Sequence, residues 1–148
     1  MTEVVFVVPE NGAEVESPDM DWLRDRVLHG GKDFWCSGSG QSWLKHSKGA
    51  KLLLSFVAGY GFFPEYISFQ QDHWIAFSEK PDGDKVPVWI GGDPIIVSER
   101  FFVSPELAWA AVKEFCSSGE RTSNMNWVRR SDVDWRFGYW DHPEVKIR

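Results

Sequence analysis

The sequence predicts an α+β fold, a mostly antiparallel β-sheet of about five to six strands with two main helices packed on it. Three observations carry this expectation. Short β-branched or aromatic runs ("EVVFVV", "KLLLSFVA", "EYISFQ", "HWIAFSEK", "VPVWIGG") recur between Gly, Pro and Asp punctuation, as strands do. Two segments open with Ser-Pro and close at Gly, the start and stop signals of helices. No repeat, low-complexity tract or linker divides the chain, so residues 1–148 read as one domain around one core.

In chain order, residues 3–8 form the first strand, ended by Pro9 and Asn11-Gly12. In "SPDMDWLRDRVLHGG", Ser17 stands as N-cap, Pro18 at the first helical position, Asp19 and Asp21 in the first turn and Gly30-Gly31 at the exit. Met20, Leu23 and Val27 give this helix an apolar stripe. Residues 32–49 carry a weaker signal, "DFWC" and "WLKHS" on either side of "SGSGQ", and read as a strand or loop pair. Gly38-Ser39-Gly40 lacks the third Gly and the strand-to-helix setting of a phosphate loop.

The later strands follow, with "KPDGDK" as an Asp-Gly hairpin turn between two of them. "PIIVSERFFVS" either extends the sheet or runs along its edge, because Pro94 cannot donate to a central ladder. In the second helix Ser104 caps and Pro105 opens. Leu107, Ala108, Ala111, Val112 and Phe115 form its buried stripe, and Gly119 supplies a left-handed exit. Beyond Trp127 the tail is either a final irregular strand or a packed tail.

Nine Trp and eleven Phe suit a large aromatic core. The longest apolar run, "LLLSFVAGYGFF", is too short to cross a membrane, and the N-terminus has no secretory pattern, so a cytoplasmic protein is expected. Cys36 and Cys116, far apart and without a CxxC partner, are expected to be free thiols. The net charge is −6, and all of it lies before Arg24, in Glu3, Glu10, Glu14, Glu16, Asp19 and Asp21; the remaining acids match the sixteen Lys and Arg. An acidic chain without a basic stripe argues against binding nucleic acid, whose phosphates need clustered cations. It fits association with a basic protein.

No metal, cofactor or catalytic motif is legible. His29, His46, His73 and His142 fall in no zinc spacing, and "DGDK" lacks the ladder of a calcium loop. His73 is either structural or the base of a small enzyme working with a nearby carboxylate. Asp72, Asp82, Asp84 and Asp93 are either turn formers or acceptors for a partner's Arg and Lys. In the tail, two-residue alternation puts Trp135, Phe137 and Tyr139 on one row and leaves Trp140 opposite. Tyr139 and Trp140 are thus candidate interface anchors, against the alternative that the whole tail is buried. A sheet edge at "PIIVSERFF" would also suit a peptide-binding adaptor.

The segment "VSPELAWAAVKEF", followed by "SSGER" and "NMNWV", resembles the C-terminal pattern of the immunity protein 1 family of bacterial polymorphic toxin systems. Val103, Ser104, Ala111, Glu114, Phe115, Gly119, Arg121 and Trp127 match, and Thr122 stands where the family commonly has Pro. The likeness covers about residues 94–127, is supported upstream only by element order, and leaves residues 128–148 outside it. It implies a non-enzymatic antitoxin that binds the C-terminal catalytic domain of a cognate secreted toxin, a nucleic-acid deaminase or nuclease, and occludes its active site. With that implication, the candidate toxin contacts are Glu14, Glu16, Asp19, Asp72, Asp82, Asp84, Asp93, Tyr139 and Trp140. Ser104, Phe115, Gly119, Arg121 and Trp127 would be the structural motif.

Overall fold

The β-branched run Val4–Val7 forms β1, which turns back through Glu14–Glu16 (β2). The computed structural model describes residues 4–38, 41–78, 85–90, 93–132, 135–136 and 139–140, with backbone alone at 89, 90, 93, 94, 135, 136, 139 and 140. Helix α1 (Met20–His29) follows and passes at Gly30 directly into a short helix α2 (Gly31–Trp35). Strands β3 (Gln41–His46), β4 (Lys51–Val57), β5 (Gly61–Ile67) and β6 (His73–Phe77) then run as an antiparallel meander. Next come β7 (Lys85–Ile90), β8 (Asp93–Ser98), helix α3 (Pro105–Ser118), β9 (Asn126–Arg129), and the two-residue strands β10 (Trp135–Arg136) and β11 (Tyr139–Trp140).

The α+β expectation holds, and the strands are more numerous than expected. Among the described residues one sheet has seven, in the order β2-β1-β3-β4-β5-β6-β9, and a second has four, β10-β11-β8-β7. All pairings are antiparallel except β11 with β8. The alternation of strand side chains assigns the two faces of the large sheet. Leu44, Leu52, Leu54, Phe62, Tyr66, Ala76 and Trp127 join Leu23, Val27, Trp35, Ala111 and Phe115 in one cluster beneath the three helices. Their neighbours Phe63, Ile75, Phe77 and Val128 join Val86, Val88 and Val97 of the second sheet in another. Burial on both faces is why β5 shows almost no polar alternation.

Four local expectations are corrected. Helix α1 is capped by Asp19, whose carboxylate accepts from Trp22 N at 3.2 Å, and not by Ser17. Ser17 N–H still donates to Val4 O at 2.8 Å, extending the β1–β2 ladder, so the chain must turn (Ser17 φ 46°) before a helix can begin. "DFWC" is helical through Trp35, held by an indole N–H bond to Arg26 O at 2.8 Å. "KPDGDK" does not close a hairpin: β6 pairs with β5 and β9, while β7 belongs to the other sheet, and residues 79–84 lie outside the described residues. On α3, Leu107 is 38% exposed and Cys116 takes the buried place. Burial pushes the Cys116 thiol up to about 12. Both cysteines are free. Among the described residues, no helix is long and apolar enough to cross a membrane.

Candidate protein-binding surface

Three turns meet at one end of the large sheet. The first joins β3 to β4, with Gly49 N–H bonded to His46 O at 2.8 Å. The second joins β5 to β6; Gln71 N–H reaches Ser68 O at 2.9 Å, Ser68 N–H reaches Asp72 O at 2.9 Å, and Gln71 adopts φ 71°. The third is the exit of α3 at Gly119, which takes the left-handed conformation (φ 76°). Tyr66 ties the second turn to the third through its hydroxyl, which donates to Gly119 O at 2.9 Å, and Lys48 Nζ from the first turn donates to Ser118 O at 3.3 Å.

The turns border an open cavity of about 310 Å³ lined by Lys48, Ala50, Tyr66, Phe69, Gly119 and Glu120. Phe69, at the tip of the β5–β6 turn, is 63% exposed, the most exposed large hydrophobic residue described. Next to the cavity, Arg121 lays its guanidinium 3.8 Å from the centre of the Trp74 ring and 5.9 Å from that of Tyr66. Arg129 approaches the same Trp74 ring at 4.6 Å and holds Asp72 at 3.4 Å. Stacked guanidinium groups keep their N–H edges free for a bidentate acceptor. Among the described residues Arg121 has no carboxylate within ion-pair distance. Burial lowers its pKa, opposed by Tyr66, Glu120 and Asp72, and burial followed by Glu120 raises that of Tyr66, which stays a proton donor.

Those of the expected contact acids that are described, Glu14, Glu16, Asp19 and Asp72, are not gathered on one surface. Glu14 and Glu16 are exposed on the edge strand β2, with Glu14 paired to Lys45 at 3.0 Å, and the Asp19 carboxylate is engaged in capping α1. Asp72 lies on β6's turn, five strand steps or roughly 24 Å from β2 at ~4.8 Å per step. Asp93 opens β8 opposite Ile90, and Tyr139 and Trp140 form β11 opposite Ile96 and Val97, but the side chains of all three lie outside the described structure. Asp82 and Asp84 lie outside the described residues altogether.

The residues of the expected structural motif serve packing and capping. Ser104 Oγ accepts from Leu107 N at 3.2 Å, Phe115 is fully buried, and Trp127 is buried with its indole donating to Thr122 O at 2.9 Å. Thr122, where the family has Pro, is buried, and its Oγ1 accepts from Asn124 N at 3.2 Å; hydrogen bonds hold the turn that a proline ring would stiffen. Sequence reasoning missed Phe69, Trp74 and Arg129, whose only legible signal was an aromatic residue in a polar turn, "SFQQD".

His73 does have a partner. Its Nε2 lies 3.0 Å from Oε1 of Glu65, a carboxylate only 4% exposed, whose other oxygen receives Gln41 Nε2 at 3.4 Å. Neither this cavity nor a larger one of about 410 Å³, at the opposite end of α3 between Tyr60, Phe102, Leu107 and Met125, is lined by His73. No family model and no curated protein matches the chain.

Proposed function

We propose that this protein is an immunity protein, which binds the C-terminal catalytic domain of a cognate secreted toxin in the cytoplasm of the producing cell and occludes its active site. The toxin acts on nucleic acid as a deaminase or nuclease and is basic where it grips phosphates; the immunity protein is not an enzyme and needs no cofactor. One observation carries the reading. The turn that bears Gly119 and Arg121, on which the family likeness rests, also borders the patch formed by exposed Phe69 and Arg129 and half-buried Trp74 and Arg121. One exposed aromatic residue, a half-buried Trp and two Arg beside a small socket are the composition of a binding hot spot. The test is coexpression with the C-terminal domain encoded by the gene immediately upstream. Survival of the cells and recovery of a one-to-one complex are expected; toxicity undiminished by this chain would overturn the proposal.

A second reading has one observation in its favour, the pair His73–Glu65, in which a buried carboxylate holds an imidazole whose other nitrogen remains available as a base. His73→Ala separates the two readings, since neutralisation of the toxin survives it if the protein is an antitoxin.

A further inference from the structure

We infer that Arg121 and the Phe69 cavity together receive an acidic side chain and its apolar neighbour from the partner protein. Identifying that partner as the toxin rests on the reading above; the chemistry of the site does not. Arg121 emerges from the α3 exit turn as a guanidinium already desolvated on one face by Trp74 at 3.8 Å. Its place is set before any ligand arrives, so little side-chain freedom is lost on binding. A second guanidinium, Arg129, shares the ring, and with Lys48 in the cavity lining the patch holds three cations against Asp72 and Glu120. Asp72 is committed to Arg129. Lys48 donates to the Ser118 carbonyl, so Arg121 is the guanidinium of the patch without a carboxylate among the described residues, and its chemical complement is a planar, bidentate carboxylate.

The cavity fixes the second half of the ligand. Tyr66 belongs to both features, lining the cavity and lying 5.9 Å from the Arg121 guanidinium, so an apolar group in the socket and a carboxylate on Arg121 are within one residue of each other. At about 310 Å³ the socket is at the small end of ligand pockets, the scale of one or two side chains. Phe69 lines it with an apolar side chain that is 63% exposed, surface that a partner's apolar group would cover. A nucleotide fits less well: both guanidinium groups that would meet its phosphates lie on the Trp74 ring its base would need for stacking, and Asp72 and Glu120 belong to the same patch.

The test uses the full chain. In ¹⁵N NMR titrations at low salt, N-acetyl-Leu-Asp-amide is expected to shift the Arg121 Nε–H and Trp74 indole resonances. N-acetyl-Leu-Asn-amide and N-acetyl-Leu-Lys-amide should bind at least 10-fold more weakly, and Arg121→Gln should abolish the preference for Asp. Equal responses to the Asp and Asn probes, or an Arg121-dependent response to a twelve-nucleotide single strand exceeding that to the Asp probe, would overturn the inference. In the toxin assay Arg121→Gln is expected to weaken capture 10- to 100-fold through faster dissociation, with Arg121→Lys in between because it keeps the charge and loses the fork. Phe69→Ala, at an exposed turn tip that the fold does not need, is expected to weaken capture about 10-fold with unchanged thermal unfolding. If the wild-type chain captures the toxin and all these variants do so equally well, the site is wrong and the immunity reading stands. If the wild-type chain captures no toxin while the Asp probe still reports at Arg121, the immunity reading fails and the site stands.

Discussion

Gly119 combines a positive φ of 76° with an α-carbon that faces the His46 ring, where an added methyl carbon would lie 3.1 Å away. Two effects therefore oppose a side chain here: the left-handed backbone costs roughly 1–2 kcal/mol for an L-residue, and the imidazole, stacked edge-on against Phe115 at 5.9 Å, has to move. Gly12, with φ 73° and no atom within 4 Å of the same methyl position, isolates the first effect. Gly12→Ala is expected to lower the melting temperature by about 2–8 °C and Gly119→Ala by more, since ~1 kcal/mol is worth about 2–4 °C in a domain of this size. Calorimetry decides; equal shifts for the two variants would mean that His46 yields freely. Tyr66 provides a second check, because its hydroxyl donates to the carbonyl of the same Gly119. Any displacement of the turn should therefore also appear as a change at Arg121, two residues on.

The ends of α3 were legible from sequence because they are set by residues in contact along the chain: Ser104 beside the first turn, Pro105 inside it and Gly119 beyond the last. Replacing Ser104 with Ala leaves the Leu107 N–H without its acceptor and is expected to cost ~1 kcal/mol, a fall of about 2–4 °C read by circular dichroism, with Ser104→Asp close to the native value. An unchanged melting point in Ser104→Ala would assign the helix start to Pro105 alone. The same signals misplaced the start of α1, because a strand pairing decided it: Ser17 is held by Val4, a partner distant in sequence, and the cap passes to Asp19. The Leu107 exchange with Cys116 has a similar cause. Spacing defines a stripe to within one position, and the packing of α3 against the sheet selects the face. Pro64 likewise hid half of β5. It lies where the β5–β6 ladder ends at Glu65, so its missing N–H costs no bond there, and the strand continues through Phe62, which pairs with Val103 instead.

At the scale of the molecule, the local alternation that identifies strands says nothing about which strands are partners, and so the second sheet was not legible. The large sheet takes helices on one face and β7–β8 on the other, dividing the aromatic residues between two clusters where one core was expected. Charge, in contrast, is a sum over the chain and was legible in full. Its excess lies in the first 23 residues, around the edge strand β2, on the far side of the sheet from the β5–β6 turn. Carboxylates that pair with Lys45 or cap α1 contribute little at contact but still add to the field felt at a distance. They are therefore expected to act on association and the Arg121 patch on dissociation. With the toxin domain as partner, the association rate should fall at least 10-fold between ~0.1 and ~1 M salt, as the screening length drops from about 10 to about 3 Å. Replacing Glu10, Glu14 and Glu16 together with Lys should reproduce that fall at low salt while leaving the dissociation rate unchanged, and stopped-flow measurement resolves both rates. An association rate indifferent to salt would remove steering, whereas faster dissociation in the triple variant would move the contact surface from the β5–β6 turn to β2.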